Sequence, residues 1–203
     1  MTDDPVAETT ASYDEIASAY AARTATPAPA VRGWLDRFAA ELRPAARVAD
    51  LGCGPARDGA ELTARGLCVV GVDRSAGMLA VASGRLAGRV VQGDLRRLPL
   101  AAGALDGAWS AAALLHVPRS DVPAALSELR RVLRPGGVLG LITAMGESEG
   151  YEEVDYAAGR QRWFVYHDAG ALRQLLAGAG FELMDAAENR ANRHWLQLLA
   201  RAQ

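Results

Sequence analysis

Between Val48 and Thr143 the chain alternates short apolar runs with amphipathic ones, and few folds accept that alternation. Val48 to Leu51, Cys68 to Val72, Arg89 to Gln92, Leu105 to Ser110 and Val138 to Thr143 read as short strands. Between them, Arg57 to Arg65 reads as a helix closed by Gly66, and Ser75 to Ser83 as another. Asp121 to Leu133 is a third helix, with Val122, Leu126, Leu129 and Leu133 inward and Pro123 in its first turn. It runs into Arg134-Pro135-Gly136-Gly137, a turn and stop signal. Apolar strands that alternate with helices predict a parallel sheet covered on both faces. In such sheets a ligand sits beyond the carboxyl ends of the strands, where strand order reverses.

The flanks extend this plan. Ser12 to Ala22 reads as a helix with Tyr13, Ile16 and Tyr20 on one face, Ser12 as its cap, and Asp14 and Glu15 in its first turn. A second helix follows Pro29, with Val31, Trp34, Leu35, Phe38 and Leu42 at helical spacing, and ends before Pro44. After an irregular stretch, Asp168 caps a helix carrying Leu172, Leu175 and Leu176, ended by Gly178 and Gly180. Phe181 to Met184 and Trp195 to Leu199 predict an antiparallel hairpin at one edge. The expectation is one α/β domain, a doubly wound and mostly parallel seven-stranded sheet. Residues 1–45 form its N-terminal helical lid and 46–203 its main body.

Composition removes several chemistries. All 22 basic residues are arginine, so a lysine Schiff base and a Walker-type phosphate loop are both excluded. A net charge of −2 gives no general pull toward nucleic acid or an anionic membrane. No apolar run reaches the roughly 18 residues a bilayer span needs. The segment from Met1 to Thr10 carries Asp3, Asp4 and Glu8 and does not read as a signal peptide, which makes the cytoplasm the default. Cys53 and Cys68 suggest no disulfide framework, and His116, His167 and His194 show no metal-ligand spacing.

The chemistry concentrates in Asp50-Leu51-Gly52-Cys53-Gly54-Pro55-Ala56-Arg57-Asp58-Gly59, where the first strand ends and the first helix of the alternation opens. Glycines there let the backbone turn sharply and let a ligand approach without a Cβ in the way. Asp73 closes the second strand, where a carboxylate can accept both hydroxyls of a ribose. Asp94 follows the third strand and can accept from an exocyclic adenine amine. The dinucleotide fingerprint of a nicotinamide dehydrogenase wants glycine at position 57, which is Arg57 here.

These residues resemble the class I S-adenosylmethionine-dependent methyltransferase family over Val48 to Thr143. Val-Ala-Asp50-Leu-Gly-Cys-Gly is similar to its first motif, Val-Val-Gly-Val-Asp73 to its second-strand acid and Gly93-Asp94-Leu95 to its adenine-side motif. Leu105-Asp106-Gly107-Ala108-Trp109-Ser110 resembles the fourth-strand motif, and Leu133 to Gly137 the turn before strand five. Tyr13-Asp14-x-Ile16-Ala17-x-x-Tyr20 resembles the lid helix of quinone-type and related small-molecule methyltransferases.

The resemblance implies a Rossmann-like fold and S-adenosylmethionine as cofactor, with S-adenosylhomocysteine as product. Asp50 would help hold the environment of its methionine portion, with Tyr20 of the lid nearest that end, and Gly52, Cys53 and Gly54 would also bind the cofactor. Asp73 would hold the ribose, Asp94 and Leu95 would lie along the adenine, and Arg74, Met78, Ser110 and Ala111 would also bind the cofactor.

His116 stands just past that strand, where the reacting methyl is expected. An imidazole pKa of about 6.5 suits a general base; the alternative reading is a hydrogen-bonded structural histidine lining the pocket. Glu147, Tyr151 and Arg162 fall in the variable region where such families build a substrate cap. The implied reaction is in-line methyl transfer to an oxygen or nitrogen of a small molecule, without a metal, by a monomer or homodimer. Competing readings are a domain that binds the cofactor without catalysis, and a nucleic-acid or protein methyltransferase.

Overall fold

A computed structural model describes residues 4–154, 157 and 159–203. Met1, Thr2 and Asp3 of the N-terminal segment lie outside the described residues. The main sheet has seven strands: β1 (Arg47–Leu51), β2 (Cys68–Asp73), β3 (Val90–Gln92), β4 (Leu105–Ala111), β5 (Leu133–Ala144), β8 (Phe181–Arg190) and β9 (His194–Ala202). Their order is β3-β2-β1-β4-β5-β9-β8. The first five are parallel, β9 runs antiparallel to β5, and β8 antiparallel to β9. Strand order reverses between β1 and β4, so the rim above them is the switch point. The C-terminal hairpin forms as the sequence predicts, with longer strands.

Helices cover both faces. On one side lie α2 (Pro29–Ala40), α3 (Arg57–Ala64) and α4 (Ala76–Arg85), burying Trp34, Leu35, Phe38, Leu62 and Leu86 against Val48, Val69 and Trp109. On the other, α5 (Val122–Val132) and α6 (Ala169–Gly178) bury Leu126, Leu129, Leu172 and Leu176 against Ala49, Leu51, Leu139 and Leu141. Alternate residues of β1 therefore serve opposite cores, as the pleat requires. Leu175 faces outward at 37% exposure.

Three sequence expectations are corrected. The first helix, α1, spans Pro5–Arg23 rather than starting at Ser12, and its cap is Asp4, whose side chain accepts from the Val6 N–H. Ser12 instead donates to the Gln161 carbonyl at 2.6 Å, and Asp14 accepts from Ser75 Oγ and Gly77 N–H. The Arg134 to Gly137 turn does not precede β5 but bulges within it: Leu105 pairs with Leu133 and Gly107 with Val138. Asp106, 2% exposed, pins that bulge by accepting from Arg134 Nε and, across the sheet, from the Arg47 N–H.

The irregular stretch also holds an antiparallel ribbon, β6 (Glu149–Glu153) and β7 (Gln161–Val165). This ribbon clasps α1, with the Trp163 N–H donating to Thr9 Oγ1 at 2.8 Å.

The contact between α2 and the sheet needs glycine beneath it. Phe38 and Trp109 lie with ring centroids 5.4 Å apart, and a Cβ on Gly140 would fall 2.4 Å from Trp109 Cε3. Gly140→Ala is expected to destabilise the protein by about 1–3 kcal/mol through overpacking. Gly84→Ala, in α4 with nothing within 4 Å of the added carbon, is expected to stabilise it by about 0.5–1 kcal/mol. Urea unfolding of the two variants checks both signs.

Candidate active site

The carboxyl ends of β1, β2 and β4 open into a cleft of about 990 Å³ including its mouth, roofed by α1. Its floor is the turn from β1 into α3. Gly52 and Gly54 take φ of +69° and +52°, and a Cβ on Gly52 would lie 2.2 Å from the Ala113 Cβ. The Gly54 N–H donates to Asp73 Oδ2 at 2.7 Å and the Ser75 N–H to Oδ1 at 2.9 Å, so two loops hold one carboxylate in place. Each oxygen keeps a further lone pair. Burial pushes the Asp73 pKa up, against the backbone bonds that lower it.

Asp50 is 3% exposed and accepts from the Gly59 N–H at 2.9 Å. Burial raises its pKa well above the usual carboxylate value, and the neighbouring charge of Asp58 adds to the rise. Burial likewise drives the Cys53 thiol upward, which leaves it no thiolate at neutral pH. At the far end, Asp94 accepts from the backbone and guanidinium of Arg96. These bonds overcome burial and hold Asp94 below its ordinary pKa.

His116 lines the cleft beneath the lid, in a short 3-10 turn (Leu114–His116). Its Nδ1 lies 2.6 Å from the Trp163 carbonyl and its Nε2 2.8 Å from the Tyr13 hydroxyl. A carbonyl only accepts, so Nδ1 carries the proton and Nε2 accepts from Tyr13. Burial pushes the His116 pKa down to about 3, and Arg162 and Arg193 contribute to the fall although the Trp163 carbonyl opposes it. A neutral imidazole with both nitrogens engaged matches the geometry of the second of the two sequence readings, a hydrogen-bonded histidine lining the pocket. Arg162 Nη1 in turn donates to the Tyr13 oxygen at 3.0 Å.

Of the residues singled out by sequence, the cleft brings together Tyr20, Asp50, Gly52, Cys53, Gly54, Asp73, Arg74, Met78, Asp94, Leu95, Ala111 and His116. Ser110 does not line it: it is fully buried, and strand parity sends its side chain to the face opposite Trp109 and Ala111. Glu147 and Tyr151 lie outside, on the surface, with Tyr151 41% exposed and edge-on to Trp163. Arg162 does not line the cleft but donates to Tyr13, which does.

The sequence reading missed Thr9, Thr24, Arg57, Asp58 and Val117 as lining residues. Arg57 and Asp58 adjoin the glycine turn and were open to recognition from that position; Thr9 and Thr24 depend on where α1 docks. Among the described residues no cluster of His, Cys, Asp and Glu suits a metal, and no helix is long and apolar enough to cross a membrane.

Sheet order, the antiparallel final pair and a lidded cleft at the switch point define a Rossmann-like fold of the methyltransferase type. Residues 48–137 match a family described as a methyltransferase domain. The chain is 34% identical over 154 residues to the malonyl-[acyl-carrier protein] O-methyltransferase of Dechloromonas aromatica (strain RCB), covering 72% of this chain and 55% of that protein. It is 41% identical over 103 residues to the demethylmenaquinone methyltransferase of Mycolicibacterium gilvum (strain PYR-GCK), covering 51% and 44%. The chain thus spans about half the length of these curated relatives.

A crystal structure of 1,6-didemethyltoxoflavin-N1-methyltransferase from Burkholderia thailandensis, with bound 1,6-didemethyltoxoflavin and S-adenosylhomocysteine, shares the fold at a TM-score of 0.75. The match has 24% identity and covers 100% of this chain and 92% of that one. Over residues 48–137 the chain is thus similar to methyltransferase domains, and over its whole length it shares the fold of a methyltransferase crystallised with S-adenosylhomocysteine.

The electrostatics of Asp50 have a testable consequence. Its folded pKa lies above the unfolded one, so the native state binds the extra proton and stability falls as pH rises from the unfolded value toward the folded one. Asp50→Asn keeps an acceptor for the Gly59 N–H and removes the charge. The variant is expected to be more stable than wild type at pH 7, with the gap shrinking as pH falls toward about 4. Chemical denaturation at several pH values reads this; a gap independent of pH contradicts it.

Proposed function

We propose that the protein transfers the methyl group of S-adenosylmethionine to an oxygen or nitrogen of a small-molecule acceptor, by in-line displacement. The observation that carries this reading is Asp73, held by two backbone N–H groups at the end of β2 and facing the glycine turn beneath the lid. Its remaining lone pairs suit a ribose diol. Gly93, Asp94 and Leu95 line the end that would take the adenine, and Gly52 to Gly54 the end that would take the amino acid.

The bound cofactor supplies an electrophilic methyl on sulfonium sulfur. The chain supplies alignment, a roof against water, and control of the acceptor's proton. Relatives whose names carry O-methyltransferase activity, and a fold neighbour with a small ligand bound, support the acceptor class.

The proton-handling group that faces the acceptor space is the Tyr13 phenol. It donates to His116 Nε2 and accepts from Arg162, which fixes the hydroxyl at the acceptor end of the cleft. His116 acts here as a positioning residue that fixes the phenol through the Trp163 carbonyl.

Calorimetry with S-adenosylhomocysteine tests the cofactor assignment. Asp73→Ala is expected to lose affinity about 10–100-fold, corresponding to about 1.5–3 kcal/mol for a lost charged hydrogen bond. Unchanged affinity in a folded variant removes the assignment. For the acceptor end, Tyr13→Phe is expected to lower kcat by up to about 10²-fold with cofactor affinity nearly unchanged. The wild-type pH–rate profile should lack a histidine inflection between about pH 6 and 7. An inflection there that disappears in His116→Gln restores the histidine as the base.

A further inference from the structure

We propose that Arg57 is the anchor for the carboxylate of the cofactor's amino-acid portion, an inference that rests on the cofactor reading above. Arg57 opens α3 immediately after Ala56, which takes a left-handed φ of +56° and so turns the chain sharply into the helix at the cleft wall. One edge of its guanidinium is already used: Nε donates to Asp58 Oδ1 at 2.7 Å. Asp58 is 6% exposed, and its other oxygen accepts from Trp109 Nε1 at 3.0 Å. Trp109 is wholly buried against Phe38. The guanidinium is therefore braced from the core through two hydrogen bonds, with its long side chain held in one conformation.

Its outer edge is different. Nη1 and Nη2 meet no hydrogen-bond acceptor among the described residues, and the side chain lines the cleft with 24% of its surface exposed. Tyr20 stands near it, and Gly52 and Gly54 line the same cleft. The other cation lining the cleft, Arg74, is committed to Asp94 and Asp4 at the opposite end. A ligand whose ribose sits on Asp73 between these ends would bring its amino-acid portion to Arg57. Two parallel N–H groups in one plane match a carboxylate and not a hydroxyl or an ammonium. Pre-bracing by Asp58 reduces the side-chain entropy lost on binding.

The test compares two ligands by calorimetry: S-adenosylhomocysteine, and its decarboxylated analogue S-adenosyl-3-thiopropylamine, which keeps the ammonium. Arg57→Gln is expected to weaken the first about 10–100-fold and to leave the second within about twofold, because only the first presents a charged partner to the fork. Arg57→Lys keeps the ion pair with Asp58 and guards against a folding defect. It is expected to lose several-fold on the first ligand alone. Equal losses on both ligands would assign Arg57 to shaping the turn, and no loss on either would remove it from the site; each overturns the proposal. If wild type binds neither ligand, the cofactor reading fails and this inference goes with it.

Discussion

The 2.7 Å hydrogen bond from the Gly54 N–H to Asp73 joins the two loops on which the cleft depends. It crosses from the end of β1 to the end of β2, at the turn where Gly54 adopts a positive φ. The same carboxylate takes the Ser75 N–H, and Ser75 then caps α4 by accepting from the Met78 N–H. One aspartate thereby sets the glycine turn, the start of a helix and an acid facing the cleft. A charged acceptor held by backbone donors needs little rearrangement on binding, and that is how a rigid scaffold makes a site specific.

The lid is held from both sides. Asp14 ties α1 to the start of α4, while Ser12 and Thr9 tie it to the β6–β7 ribbon. Close approach is built in as well: a Cβ on Gly77 would lie 2.6 Å from the Asp14 carbonyl oxygen. Hydrogen bonds of this kind contribute about 0.5–1.5 kcal/mol each. The part-exposed ion pairs of Asp4 with Arg74 and Arg96 add little, since such pairs are screened by water.

Buried charge shapes the rest of the cleft. Asp50 and Asp58 stand near each other beside the glycine turn, with Arg57 bonded to Asp58 and close to Asp50. The Asp58 charge raises the Arg57 pKa despite the opposing effect of burial, so the guanidinium stays cationic. At the acceptor end the logic is reversed. Arg162 and Arg193 press on His116, burial does more, and the imidazole remains neutral beneath Tyr13. One end of the cleft thus keeps its cation and the other suppresses one.

The sequence alone determined what depends on neighbours within a few positions. Apolar periods of Val48 to Leu51 and Val122 to Leu133 specify strand and helix, Gly52 and Gly54 specify a turn, and a strand's last residue, Asp73, lands on the rim because strands in a parallel sheet end together. Tertiary structure decided the pairings across long separations. Glu149 to Glu153 alternates too weakly to be read as a strand, and it becomes one only by pairing with β7. Ser110 sits one residue from the cleft lining yet points to the other core, because parity against Trp109 is set by which helices cover each face. His116 reads from the sequence either as a base or as a hydrogen-bonded histidine lining the pocket. Its tautomer comes from Trp163 and Tyr13, respectively 47 and 103 residues away, and its neutrality from burial, and surroundings of that kind are chosen by packing, which no local pattern encodes.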